Sequence, residues 1–168
     1  VWGDFDNDGD LDLVKGNLAY RNLGGGVFSN LAVNLPYNEG FGGWDDFNRD
    51  GNLDLLLVGA KACKVYRTDG NGNFTASNAG LPAAITVRQT GDWGDYDNDG
   101  DPDLALATVS FTRIYRNNGT NFTDINASLP AAGDGSVAWG DFDQDGDLDL
   151  LLAGNNLLRV YRNNGNGT

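Results

Sequence analysis

The chain has 168 residues, one cysteine, no histidine, 25 glycines and a formal net charge of −13, with a sequence pI near 4.1. That length suits one domain with its own core, and the acidity argues against nucleic-acid or anionic-membrane partners, which need basic patches. The absence of histidine removes a Ser-His-Asp triad or other imidazole relay, and no apolar run approaches the ~20 residues that span a bilayer.

The chain opens on the end of a first strand, VWG, which runs into the acidic window DFDNDGDLD. The same grammar returns as DFNRDGNLD, DYDNDGDPD and DFDQDGDLD, with first aspartates at Asp4, Asp46, Asp95 and Asp141. Other landmarks keep the phase. Tyr20, Tyr66, Tyr115 and Tyr161 each precede an arginine; Phe28, Phe74 and Phe122 follow Gly/Asn turns; Leu-Pro closes the first three units at Pro36, Pro82 and Pro130. In the last unit GSVAWGD reads as a first strand, LDLLLAG as a second, buried on both faces, and LLRVYRN as an alternating third. NFTAS and NFTDI supply a short fourth edge strand in the units before it. A four-stranded unit of ~40–50 residues, repeated, is the signature of a propeller blade. The expected fold is therefore an all-β propeller of four-stranded antiparallel blades. One domain or segment covers 1–168, with blades near 1–40, 41–87, 88–134 and 135–168.

The last of these units is expected to be incomplete, because it stops after its third strand. Either the natural chain continues or a neighbouring molecule donates a strand, since an unpaired edge invites association. Trp2, Trp44, Trp93 and Trp139 recur at one phase, which points to packing between blades, with sugar stacking as the alternative. Cys63 reads as a buried strand residue, an intermolecular bridge being the alternative.

Of the 24 acidic residues, 18 fall inside the four windows. Crowded like charges repel unless a cation neutralises them. Oxygen-bearing side chains hold positions one, three, five and nine of each window, and glycine always holds position six. Alternate residues of a tight loop point inward together, the glycine permits the turn, and the next residue offers a carbonyl. The helix-flanked calcium loop uses the same logic but closes at position twelve. An all-oxygen set selects Ca²⁺ over zinc or copper, and Mg²⁺ suits it less well. Four such ions would move the formal charge from −13 to −5.

The words WGDFDNDGDLDL, LLLAGNN, YRNNG and NFTD resemble the FG-GAP/VCBS repeat family, whose blades are similar to those of the integrin α-subunit propeller, and they recur over essentially the whole chain. The resemblance implies a calcium loop between the first and second strands of each blade, with a mainly structural ion. It implies side-chain ligands at Asp4, Asp6, Asp8 and Asp12 in the first loop, and at Asp46, Asn48, Asp50 and Asp54 in the second. The third set is Asp95, Asp97, Asp99 and Asp103; the fourth is Asp141, Asp143, Asp145 and Asp149. Carbonyls would come from Asp10, Asn52, Asp101 and Asp147. Two departures stand out: Asn48 replaces an acid, and propellers of the family commonly close with more than four blades.

The functional expectation is a calcium-stabilised module, extracellular or at the cell surface, for binding, adhesion or assembly. Its partner would be a protein or glycan ligand or neighbouring copies, with no nucleic acid. A lectin is the alternative, with Tyr37, Phe41 or Phe111 as aromatics outside the repeat positions, as is a non-catalytic part of a polysaccharide-active enzyme. No catalytic residue is assigned: the remaining acids, Glu39, Asp45, Asp69, Asp92, Asp124 and Asp134, read as solvated loop charges. Asn-x-Ser/Thr sequons at Asn73, Asn118, Asn121, Asn126 and Asn166 would carry glycans in a eukaryotic secretory route.

Overall fold

The computed structural model describes residues 1–36, 41–59, 63–77, 79–82, 89–154 and 156–165. Tyr37, Glu39 and the Asn166 sequon lie outside them. The first blade contains β1 (Trp2–Gly3), β2 (Asp12–Lys15), β3 (Leu18–Asn22) and β4 (Phe28–Asn30). The second has β5 (Phe41–Asp45), β6 (Asp54–Val58), β7 (Cys63–Thr68) and β8 (Phe74–Ser77). The third has β9 (Thr90–Gly94), β10 (Asp103–Ala107), β11 (Thr112–Asn117) and β12 (Phe122–Asp124). The fourth has β13 (Ser136–Gly140), β14 (Asp149–Gly154) and β15 (Leu157–Tyr161), so its sheet has three strands among the described residues. Within every sheet the strands pair antiparallel in chain order. The register repeats too: Leu13 faces Tyr20, Leu55 faces Tyr66, Leu104 faces Tyr115 and Leu150 faces Tyr161.

The sheets form propeller-like blades, because each second strand feeds two cores. Successive strand residues point to opposite faces. Leu55 and Leu57 therefore join Val14, Ala19 and Tyr66 in the core between blades one and two. Leu56 and Val58 join Leu104, Leu106, Tyr115 and Phe122 between blades two and three. Ala105 and Ala107 join Ile114, Leu150 and Leu152 between blades three and four. After their opening aspartates, β6 and β10 need an apolar residue at every position, so their sequences do not alternate. Cys63 is buried in the middle core, where burial pushes its thiol up to about 12.

Three of the four tryptophans pack across a blade boundary. A Cβ added at Gly3 would lie 2.6 Å from Trp44, one at Gly43 3.0 Å from Trp93, and one at Gly94 2.6 Å from Trp139. Trp2 is 56% exposed and meets the Phe28 ring edge-on at 6.1 Å. At the other end, Gly140 meets nothing within 4 Å. This asymmetry gives a test. Gly94→Ala should destabilise the protein by about 1–3 kcal/mol through overpacking, read as a lower denaturant midpoint. Gly140→Ala should stay within about 0.5 kcal/mol, and equal effects would rule out the tryptophan-on-glycine contact as an energetic determinant.

Candidate metal centres

Each acidic window forms the loop between the first and second strands of its blade. The chain turns tightly there because two residues adopt the left-handed conformation. Glycine at position six has φ between 87° and 94°, and position four, occupied by Asn7, Arg49, Asn98 and Gln144, has φ between 54° and 61°. The turn is locked by the aspartate at position one. Asp4 accepts the backbone N–H groups of Asp8 at 3.1 Å and Gly9 at 3.0 Å. Asp46, Asp95 and Asp141 do the same in their loops. Position five then takes the N–H of position seven, Asp8 from Asp10 and Asp99 from Asp101, each at 2.9 Å.

The remaining oxygens converge. In the first loop Asp4, Asp6 and Asp8, and in the third Asp95, Asp97 and Asp99, each offer a carboxylate oxygen within 4.8 Å of the other two. In the fourth loop the converging set is Asp141, Asp143 and Asp149. The second loop forms no such acidic set among the described residues. There Asn48 turns its amide on Asp50, donating to Oδ2 at 2.9 Å. Position seven behaves differently: the side chains of Asn52, Asp101 and Asp147 run sideways to the neighbouring loop. Asn7 donates to Asn52 at 3.2 Å, Arg49 pairs with Asp101 at 2.7 Å, and Asn98 donates to Asp147 at 2.8 Å. Arg49 also donates to the backbone carbonyls of Asp99 and Gly100. The loops are thus laced together along one rim.

The closing aspartates are the most deeply buried acids. Asp12, Asp54, Asp103 and Asp149 are at most 1% exposed. Asp103 accepts the N–H of Tyr96 at 3.1 Å and of Asn117 at 2.7 Å, tying the loop's start to the third strand. Asp12 and Asp149 make the equivalent pair of bonds, and Asp54 accepts from Thr68. A carboxylate has about four lone-pair sites, so these bonds leave capacity for a cation. Burial raises the carboxyls of Asp12, Asp54 and Asp103, Asp54 to about 6 and Asp103 to about 7. Burial, and then the charge of the position-five neighbour, raises Asp6 and Asp97.

An arginine from the third strand, or in the fourth blade from the residue just after it, supports each complete acid set. Arg21 meets Asp6 at 2.7 Å, Arg116 meets Asp97 at 2.8 Å, and Arg162 meets Asp143 at 2.7 Å. Each guanidinium offsets only part of the charge of the three converging carboxylates, which stay net negative. Each arginine takes Oδ2 of the position-three carboxylate, and in the first loop Asp6 Oδ1 is buried without a hydrogen-bond partner. Asp54 Oδ2 is likewise buried and unpartnered in the second loop. Where position three is Asn48, Arg67 lies instead over the Phe47 ring at 5.6 Å. A hard-oxygen cluster with orphaned buried oxygens fits a Ca²⁺-type ion. In the first loop Asp4, Asp6 and Asp8 would hold it. Supporting arginines were legible only as the residue after each repeated tyrosine.

Most remaining acids and extra aromatics serve packing. Asp92 accepts the N–H of Trp139 across the blade boundary at 2.8 Å, and Asp124 pairs with Arg113 at 3.1 Å. Asp69 holds a turn through Asn71 and Asn73, and Asp45 is half-buried and accepts from Asp46. Asp45, Asp92 and Asp124 are partly buried and engaged structurally, which corrects their reading as solvated charges, whereas Asp69 and Asp134 are exposed as expected. Phe41 and Phe111 pack against the middle core. The sequon residues Asn73, Asn118, Asn121 and Asn126 are exposed. No helix among the described residues is long and apolar enough to cross a membrane.

Blades with an acidic loop between their first two strands define a propeller-type repeat protein. The chain belongs to the FG-GAP-like repeat family, whose pattern matches residues 46–106 and again 95–152. No curated protein matches it. Among solved structures it is similar to a lectin of Agrocybe aegerita, described for specific recognition of non-reducing terminal N-acetylglucosamine. The TM-score is 0.69 at 21% identity, over 99% of this chain and 49% of the lectin. That likeness is one of fold, and this chain spans about half the lectin's length.

Proposed function

We propose that this chain is a non-catalytic binding and assembly module, stiffened by calcium and working outside the cell or on its surface. The observation that carries the reading is the convergence of three carboxylate oxygens within 4.8 Å in three separate loops, beside the unpartnered buried Asp6 Oδ1. The ion, when bound, supplies positive charge and a coordination shell that fixes the loop; the chain's own aspartates and arginines set its place. Loops of this kind match the millimolar calcium of extracellular fluid, and the exposed sequons suit a secretory route. The engagement of Asp45, Asp69, Asp92 and Asp124 in structural contacts supports a non-catalytic role. The ligand would be a protein or a glycan. The likeness in fold to a lectin favours a glycan as the second reading, tested on a glycan array with N-acetylglucosamine-terminated members.

Calcium titration by calorimetry, with residue-resolved NMR, tests the main reading. The first, third and fourth loops should fill before the second, because Asn48 removes a ligand charge and the second loop gathers no set of three carboxylates among the described residues. No heat and no shifts in the loops at millimolar calcium would refute the calcium reading. If the second loop fills first, coordination geometry outweighs charge.

A further inference from the structure

The third and fourth loops are closely matched in their charged groups. Both carry aspartate at positions one, three, five, seven and nine. Both also set an arginine against positions three and five. Arg116 meets Asp97 at 2.8 Å and Asp99 at 3.3 Å; Arg162 meets Asp143 at 2.7 Å and Asp145 at 3.0 Å. They differ in what the preceding loop lays on them. Asn98 reaches the fourth loop as a neutral amide and donates to Asp147 at 2.8 Å. Arg49 reaches the third loop with a full positive charge.

The Arg49 guanidinium straddles the second half of the third loop. Its Nε donates to the Gly100 carbonyl at 2.9 Å and lies 2.7 Å from Asp101 Oδ1, while Nη2 donates to the Asp99 carbonyl. Nη2 is also 3.8 Å from Asp99 Oδ1, the oxygen that accepts the Asp101 N–H. A Cβ added at Gly100 would lie 2.6 Å from Nη2, whereas one at Gly9, Gly51 or Gly146 would meet nothing within 4 Å. Asn7 makes the neutral form of the contact on the second loop, donating to the Gly51 carbonyl at 3.0 Å and to Asn52 at 3.2 Å. The contact is general to the rim; the charge is particular to Arg49.

We propose that Arg49 sets the ion affinity of the third loop from the neighbouring blade: it braces that loop when empty and holds its affinity for a divalent cation below that of the fourth. This rests on the calcium reading above and extends it to the ranking of otherwise similar sites. Two effects oppose each other. Bracing keeps residues 99–101 in place before an ion arrives, which favours binding, and a fixed positive charge beside Asp99 repels the ion. The brace is partly redundant, because Asp95 already accepts the N–H groups of Asp99 and Gly100, and Asp99 that of Asp101. The charge has no such duplicate, so repulsion decides the sign. A unit charge ~4 Å from another in water changes an equilibrium about fivefold, which sets the scale of the penalty.

The test is calcium titration of the 168-residue protein and of Arg49→Asn and Arg49→Lys by residue-resolved NMR, with the Gly100 and Gly146 amides reporting the third and fourth loops. In the wild type the third loop should bind about fivefold more weakly than the fourth at low salt. Arg49→Asn, which restores the side chain found at Asn7 and Asn98, should bring the two within about twofold. Arg49→Lys keeps the charge and should keep the gap, and the fourth loop should not respond to either change. Raising ionic strength from about 0.01 M to about 1 M shortens the Debye length from about 30 to about 3 Å and should close the wild-type gap, which a packing role would not do. In chelator, exchange of the Asp101 amide should quicken in Arg49→Asn. A third loop that binds as tightly as the fourth in the wild type, unchanged or weaker binding there in Arg49→Asn, a gap indifferent to salt, or unchanged Asp101 exchange would each overturn the proposal. The wild-type comparison needs no substitution, so it decides the ranking even if a variant folds poorly. Calcium binding in none of the loops would refute the calcium reading and this ranking with it; binding with equal affinity in the third and fourth would refute the ranking alone.

Discussion

Asp103→Ala is expected to cost about 2–6 kcal/mol of folding stability, measured by denaturant unfolding in excess chelator. The carboxylate is fully buried and accepts two buried backbone N–H groups, those of Tyr96 and Asn117. Alanine leaves both without an acceptor, at roughly 1–3 kcal/mol each. The chelator removes any contribution from a bound ion, so the loss measures the hydrogen-bonded staple alone. Asp103→Asn keeps one acceptor oxygen but turns an amide N–H₂ toward the second donor, and should fall between alanine and wild type. Asp101→Ala is the control. Its carboxylate pairs with Arg49 at the solvent-exposed rim, and such pairs contribute about 0–1 kcal/mol. If Asp103→Ala and Asp101→Ala unfold at the same denaturant concentration, the closing aspartate does not hold the loop to the third strand.

The same comparison shows where the sequence was readable. Blade identity lay in features that recur: the windows starting at Asp4, Asp46, Asp95 and Asp141, the Tyr-Arg pairs and the all-apolar second strands. Period and strand pattern survive in one dimension because every unit must meet the same neighbours. The two-sided burial expected of LDLLLAG in the last unit holds only in part, because Leu150 and Leu152 of β14 are buried but Leu151 is 39% exposed, whereas β6 and β10 are buried at every position. What stayed hidden depends on which side chain meets which across ~45 residues of chain. Asn7, Arg49 and Asn98 share little chemistry, yet all reach into the next loop because position four holds the same left-handed backbone. Asp92 looked like a loop charge, and only the neighbouring blade supplies the Trp139 N–H that it accepts. The closing aspartate was grouped with the other candidate ligands, and nothing in its spacing revealed the two backbone donors beside it.

Metal-free protein should lose stability as pH rises from about 4 to about 7, and calcium should reverse that trend. The folded-state pKa values of Asp54 and Asp103, about 6 and about 7, lie above the 3.8 of an ordinary aspartate. Asp6, Asp12 and Asp97 are displaced in the same direction, each by burial first. Over that window the folded chain therefore holds protons that the unfolded chain has released, and stability falls with rising pH. Carboxyls moved the other way do not interfere. Asp99, held down by the Asp101 N–H, and Asp145, held down by the Asp147 N–H, withdraw their contribution only as pH drops below the ordinary aspartate value. A bound cation needs the carboxylates ionised, so its affinity rises over the same window. At a hundredfold excess over the dissociation constant each site adds about 2.7 kcal/mol. For a domain of this size that corresponds to about 5–10 °C per filled site. Melting curves recorded in calcium and in chelator should thus lie close together near pH 5 and diverge by pH 7.5. A separation that is the same at both pH values would mean that the loop aspartates are not where proton and cation compete.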